Sequence, residues 1–279
     1  MSQKNVNLLP IASEGKNRIK PKIGMALIVL IILQSYFSPL LFAALGFDKV
    51  HFWFLSSVIT YTTIMISLII FGNDRLGVFH DYFSLGSITL SCFLSVTFGD
   101  GSVAIYKIVL LCFGILFSIY IIANRKTIKL PSARSVFIGI LWSVAAVVVT
   151  TLVYVLFDKT YTKDFSQNLL AVIYNSFLFQ FTFVTVVEES SYRGLLFSLM
   201  VMNGYKENTA FFIQALLFWG AHYYSDIGNP LMFFVIVPLI TLFLTLVIKK
   251  YKMLYMSIIM HTFLNIFTMA LVTLINHRL

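Results

Sequence analysis

The stretch Phe183-Val184-Thr185-Val186-Val187-Glu188-Glu189-Ser190-Ser191-Tyr192-Arg193-Gly194 sets two adjacent carboxylates in the middle of an apolar run. An ionised carboxylate in hydrocarbon costs about 3 kcal/mol even on lenient insertion scales, so a pair of them needs partners. Arg193 follows Glu189 by four residues with the acid on the N-terminal side, the favourable orientation for a helical ion pair. Glu188 is turned by about 100° from its neighbour, so the same arginine does not serve both. The spacing therefore predicts a structural Glu189–Arg193 pair and leaves Glu188 as a free carboxylate.

The surroundings of this stretch are those of a membrane protein. Of 279 residues, 59% are hydrophobic and only 11% charged, with a mean hydropathy of +0.91. Soluble domains carry about 25% charged residues. Apolar runs of about 20 residues, enough to cross a ~30 Å hydrocarbon core, recur from residue 23 onward. In lipid such runs are helices, because an open sheet leaves backbone groups unpaired. The expected fold is all-α: a polytopic transmembrane bundle of eight or nine spanning helices. They are placed at 23–46, 52–71, 79–98, 103–123, 135–157, 170–202, 208–224, 231–248 and 253–275. A basic cytoplasmic tail, 1–22, precedes a single transmembrane domain, 23–279, with no internal repeat or linker. Pro39 and Pro238 fall inside runs and predict kinks. Cys92 and Cys112 are too few for a disulfide framework or a cysteine metal site.

The net charge of +9 follows membrane topology rather than nucleic acid. With the N-terminus in the cytoplasm and each run crossing once, fourteen Lys and Arg fall on the inner side against four outside. Low charge and high Phe, Ile and Asn usage point to a bacterial plasma membrane.

Three further polar positions lie at a similar depth. Glu188 precedes Met202, the inner end of its run, by 14 residues. His222 follows Asn208 by 14, and His261 and Asn265 follow Lys252 by 9 and 13. These counts correspond to depths of about 21, 21, 14 and 20 Å. Phe218 and His222 share one helix face, as do His261 and Asn265. An active-site cavity among the C-terminal helices is therefore expected, with Glu188, His222, His261 and Asn265 as catalytic candidates. Glu189, Arg193 and Phe218 support them. A carboxylate in a dry pocket is a usable general base, and an imidazole and an amide can donate to an oxyanion. The set suffices for water to attack an amide carbonyl. No cofactor is required, although Glu188, His222 and His261 are also a set that can hold zinc with water in the fourth position.

In chain order these residues read EExxxR (Glu188 to Arg193), FxxxH (Phe218 to His222) and HxxxN (His261 to Asn265). Together they resemble the CPBP family, which comprises type II CAAX prenyl endopeptidases and bacterial bacteriocin-processing and self-immunity proteins. The resemblance covers about residues 170–275, a protease-like core. It implies an intramembrane endopeptidase, of glutamate type or metal-dependent, in which Glu188 activates water with help from His222 while His261 and Asn265 stabilise the oxyanion. The implied partners are a small hydrophobic peptide or lipidated protein substrate and membrane lipids. HExxH, which places two zinc ligands on one helix face, is absent. A non-catalytic binding or immunity protein with the same fold is the alternative. A proton-coupled transporter is a third reading, disfavoured because polar residues crowd into the C-terminal third instead of repeating in two halves. Oligomeric state is left open.

Overall fold

The computed structural model describes residues 19–46, 49–73, 75–157 and 169–276. Most of the predicted tail 1–22, and the charges at Lys159, Lys163 and Arg278, fall outside them. Among the described residues there are nine long helical runs and no strand. They are α1 (Ile19–Leu45), α2 (Lys49–Phe71), α3 (Tyr82–Leu94), α4 (Ala104–Ala123), α5 (Ala133–Phe157), α6 (residues 169–202), α7 (Glu207–Ala221), α8 (Met232–Tyr251) and α9 (residues 254–276). Five stretches are long and apolar enough to cross a membrane: Val50–Phe71, Gly101–Ala123, Ala133–Phe157, Met232–Tyr251 and Leu254–Val272. Lys22–Tyr36 and Tyr82–Thr97 are shorter apolar helices. The chain is an all-α integral membrane bundle.

Helix ends follow local chemistry. Asp81 caps α3 by accepting from the Ser84 backbone N–H at 2.8 Å. Gly204, at φ +90°, ends α6: its N–H bonds to the Val201 carbonyl, and Tyr205 N–H to that of Met200. This paired closure needs a left-handed residue, which glycine supplies without strain. Lys252 adopts φ 55° between α8 and α9 and ion-pairs with Glu207 at the start of α7, fixing where the chain turns back into α9.

Two of the three helices carrying the candidate residues, α6 and α9, are not regular, and neither is α8. α6 contains wide π turns at Gln180–Thr185 and Ser190–Leu196, on either side of the two glutamates. α8 has another at Met232–Ile236, and α9 one at Leu264–Thr268. The segment expected as a simple 33-residue helix, 170–202, is thus one helix of uneven pitch. Backbone groups displaced by these turns find partners elsewhere. In α6 the Thr182 carbonyl accepts from Ser91 Oγ of α3 at 2.6 Å. In α8, Val237 N–H reaches back five residues to Met232. The next donor in that pattern would serve Phe233, but position 238 is proline and has no N–H. The Phe233 carbonyl is instead met by the Trp219 indole N–H of α7 at 2.8 Å.

Lipid is as apolar as a core side chain, so close packing and polar contacts hold helices together in a membrane. Gln34 of α1 donates to Thr60 of α2 at 3.0 Å, and Thr60 meets Ser191 of α6 at 3.2 Å. The Tyr36 hydroxyl donates to the Leu217 carbonyl of α7 at 2.6 Å and lies against Gly220, where a Cβ would be 2.5 Å from its oxygen. Gly194 answers to packing as well: a Cβ there would collide with the buried Phe79 ring. Trp219→Phe is expected to cost about 1–3 kcal/mol, the penalty for a buried acceptor left without a donor. The loss should be smaller in a Pro238→Ala background, where a backbone N–H returns. Unfolding in detergent micelles measures both, and equal losses in the two backgrounds would break the link to the proline.

Candidate active site

Glu189 is the centre of the polar cluster. Its side chain is fully buried, as is that of Arg193, and Arg193 Nη1 donates to Glu189 Oε1 at 2.9 Å. His261 Nδ1 meets the same oxygen at 2.7 Å, and Ser257 Oγ donates to Oε2. A carboxylate only accepts, so His261 carries its proton on Nδ1 and turns Nε2 away from Glu189. That Nε2 stands 3.9 Å from Glu188 Oε2. Among the described residues Glu188 Oε2 is buried without a hydrogen-bond partner, although the side chain as a whole is 22% exposed. The two neighbouring glutamates thus face the two nitrogens of one imidazole.

Phe218 joins the arginine to both histidines. The Arg193 guanidinium lies 3.7 Å from the centre of its ring. The His222 ring is 4.6 Å away, centroid to centroid, and that of His261 5.9 Å. Arg193 Nε and Nη2 have no hydrogen-bond partner among the described residues, so the cation–π contact with this buried ring stands in for part of the missing solvation. His222 caps the C-terminus of α7, and its Nδ1 lies 2.9 Å from the Phe218 carbonyl. The carbonyl accepts, so Nδ1 holds the proton and Nε2 of the neutral ring is an acceptor.

α6 and α9 run antiparallel and, besides His261–Glu189, are joined along their length by three polar pairs. Ser257 meets Glu189, Thr262 Oγ1 meets Thr185 Oγ1 at 2.8 Å, and Asn265 Nδ2 donates to Gln180 Oε1 at 2.8 Å. Counting residues put Asn265 level with Glu188 and His261 one turn below. In the structure it is His261 that reaches both glutamates, while Asn265 sits opposite a residue two turns before Glu188. Antiparallel register accounts for this: each step up α9 is matched by a step back along α6. The start of α9 is fixed by Ser84 Oγ, which donates to Asp81 and accepts the Tyr255 N–H at 3.0 Å.

Of the residues singled out by sequence, the structure joins Glu188, Glu189, Arg193, Phe218, His222 and His261 in one cluster and places Asn265 one turn further along α9. Ser257 and Gln180 belong to the same arrangement and were not anticipated. Among the described residues, no group of three His, Cys, Asp or Glu side chains is gathered in the geometry of a metal site.

Residues 170–267 match the family described as type II CAAX prenyl endopeptidase Rce1-like. The match makes this segment similar to an Rce1-like domain and covers 98 of the 279 residues. It contains all seven motif residues from Glu188 to Asn265, together with Gln180 and Ser257. No curated protein and no solved structure matches the chain. The similarity suggests protease activity of the CAAX type in general, and with it a peptide or protein substrate in a membrane setting.

Removing one member of a buried charge pair strands the other, at a cost of about 3–5 kcal/mol. Arg193→Met is therefore expected to lose that much stability in micelle unfolding. Adding Glu189→Gln should recover part of it, since coupled partners are not additive. A loss below about 1 kcal/mol for Arg193→Met would contradict a buried, unscreened pair.

Proposed function

We propose that this protein is an intramembrane endopeptidase that hydrolyses a peptide bond by glutamate-activated water, with no step through a metal. The observation that carries the reading is the series Glu189–His261–Glu188: a fixed imidazole with one nitrogen on a buried carboxylate and the other toward a partly exposed one. Its substrate class is a lipidated protein tail or a small hydrophobic membrane peptide. It acts in a bacterial plasma membrane with its N-terminus in the cytoplasm.

In this mechanism water is held between Glu188 and His222 Nε2, both acceptors. Its oxygen attacks the scissile carbonyl carbon while Glu188 takes a proton. The carbonyl oxygen becomes an oxyanion and accepts from Asn265 Nδ2 and from His261 Nε2–H. For His261 to donate there it must carry both protons. With Glu188 and Glu189 negative and Arg193 positive, that proton brings the local charge to zero. Collapse of the tetrahedral intermediate breaks the C–N bond, and Glu188 returns its proton to the departing amine. Each partner contributes by being in place before charge develops, which is what makes donors in a water-poor site effective.

The test uses purified protein in lipid nanodiscs and a quenched-fluorescent peptide ending in a farnesylated CAAX sequence. Glu188→Gln is expected to lower turnover by about 10²–10⁴-fold, the usual worth of a general base. Activity should withstand a zinc chelator. Unchanged cleavage in Glu188→Gln would sink the reading, and chelator loss restored by zinc would replace it with a metal mechanism. If the wild type binds the peptide without cutting it, the fold serves as a binding protein.

A further inference from the structure

We infer that Gln180 is a positioning residue for Asn265, fixing the amide that faces the reacting carbonyl. The inference rests on the proposed role of Asn265 as an oxyanion donor and adds a residue that none of the three motifs contains. Asn265 Nδ2 donates to Gln180 Oε1 at 2.8 Å across 85 residues of sequence. Both side chains are half-buried, and each sits in a widened turn: Gln180 opens the π stretch of α6, and Asn265 is the second residue of the π stretch of α9.

The chemistry of a primary amide explains why a fixed partner matters. An asparagine presents NH₂ on one side and a carbonyl oxygen on the other, and the two have nearly the same shape. Rotated by half a turn, Asn265 would present its oxygen to the oxyanion, and a donor would become a repulsive acceptor. In the structure Gln180 presents Oε1 to Asn265, and that acceptor holds the orientation with NH₂ on its side. One N–H is consumed by that bond, and the second remains for substrate. Thr185–Thr262 lies between this pair and the glutamates, so Gln180 acts on catalysis through Asn265 and does not touch the reacting atoms.

The experiment uses the full-length protein in nanodiscs and the same farnesylated CAAX peptide. Gln180→Leu removes the acceptor. It is expected to lower kcat by about 10- to 100-fold, less than the full loss of an oxyanion donor at about 10²–10³-fold. KM should stay within about twofold, because the effect belongs to the transition state. Gln180→Glu keeps an oxygen acceptor and should restore most of kcat, which a merely structural role would not predict. In Asn265→Ala the Gln180→Leu change should add nothing, since its target is gone. Gln180→Met tests the same point if the leucine variant does not fold. Normal kcat in Gln180→Leu or Gln180→Met, a change confined to KM, or full additivity with Asn265→Ala would overturn the inference while leaving the Glu188 reading intact. Absence of cleavage by the wild type would overturn both.

Discussion

The buried carboxylate of Glu189 is the charge around which the C-terminal helices are organised. It takes Arg193 from its own helix and Ser257 and His261 from α9, so both oxygens are engaged by groups on two elements. Burying such a pair is not a stabilising device in itself, because desolvation offsets much of the attraction. Its value lies in what it forbids. Sliding α9 by one turn against α6 would take Ser257 and His261 off Glu189 and leave its carboxylate in a water-poor interior with Arg193 as its one remaining partner from this set. The register of the two helices, and the direction of the His261 ring, follow from that prohibition.

The π turns are the second constraint, and they are tied to the first. Each widens a helix where a partner must be reached: two bracket Glu188 and Glu189, one carries Asn265, and one precedes Pro238. A wide turn frees backbone groups, and in lipid these must be answered by protein. Ser91 does so at Thr182 and Trp219 at Phe233. The FxxxH segment therefore has a structural task inside its variable positions, where Trp219 holds α7 to α8 and Gly220 lets the Tyr36 hydroxyl approach. Such turns are enriched at functional sites because they place side chains that a uniform helix would misdirect.

Much of this was legible in the sequence, for identifiable reasons. Apolar runs of spanning length mark membrane helices, and four-residue spacings mark neighbours on a helix, so the Glu189–Arg193 and Phe218–His222 relations could be read directly. Contacts between helices could not. Ser257 is four residues before His261 and looks like ordinary packing until its hydroxyl is seen on Glu189. Gln180 stands alone in an apolar stretch, and only the antiparallel register of α6 and α9 gives it Asn265. The π turns were also hidden, since of the residues in or beside them only Pro238 has a backbone that removes a helix hydrogen bond by itself. That proline suggested a kink; its consequence was an orphaned carbonyl and a tryptophan to meet it. Depth counting along ideal helices misplaced His261 and Asn265 by about a turn because it ignored the pairing of α9 with α6.

Two adjacent glutamates end in unlike surroundings through a rotation of about 100°. Glu189 has no exposed side-chain surface and holds three donors, so water has no access to it. Glu188 keeps partial exposure and one buried oxygen without a partner, so it has both access and unused capacity. The proposed mechanism of hydrolysis inside a membrane needs this asymmetry. A site that satisfied every polar atom would bind no water, and one that satisfied none would not hold its shape. The Glu189 cluster supplies the rigidity, and the imidazole it fixes faces the one carboxylate that remains available. On this view the sequence Glu-Glu is a division between a residue that positions and a residue that reacts, enforced by which of the two the arginine and serine can reach.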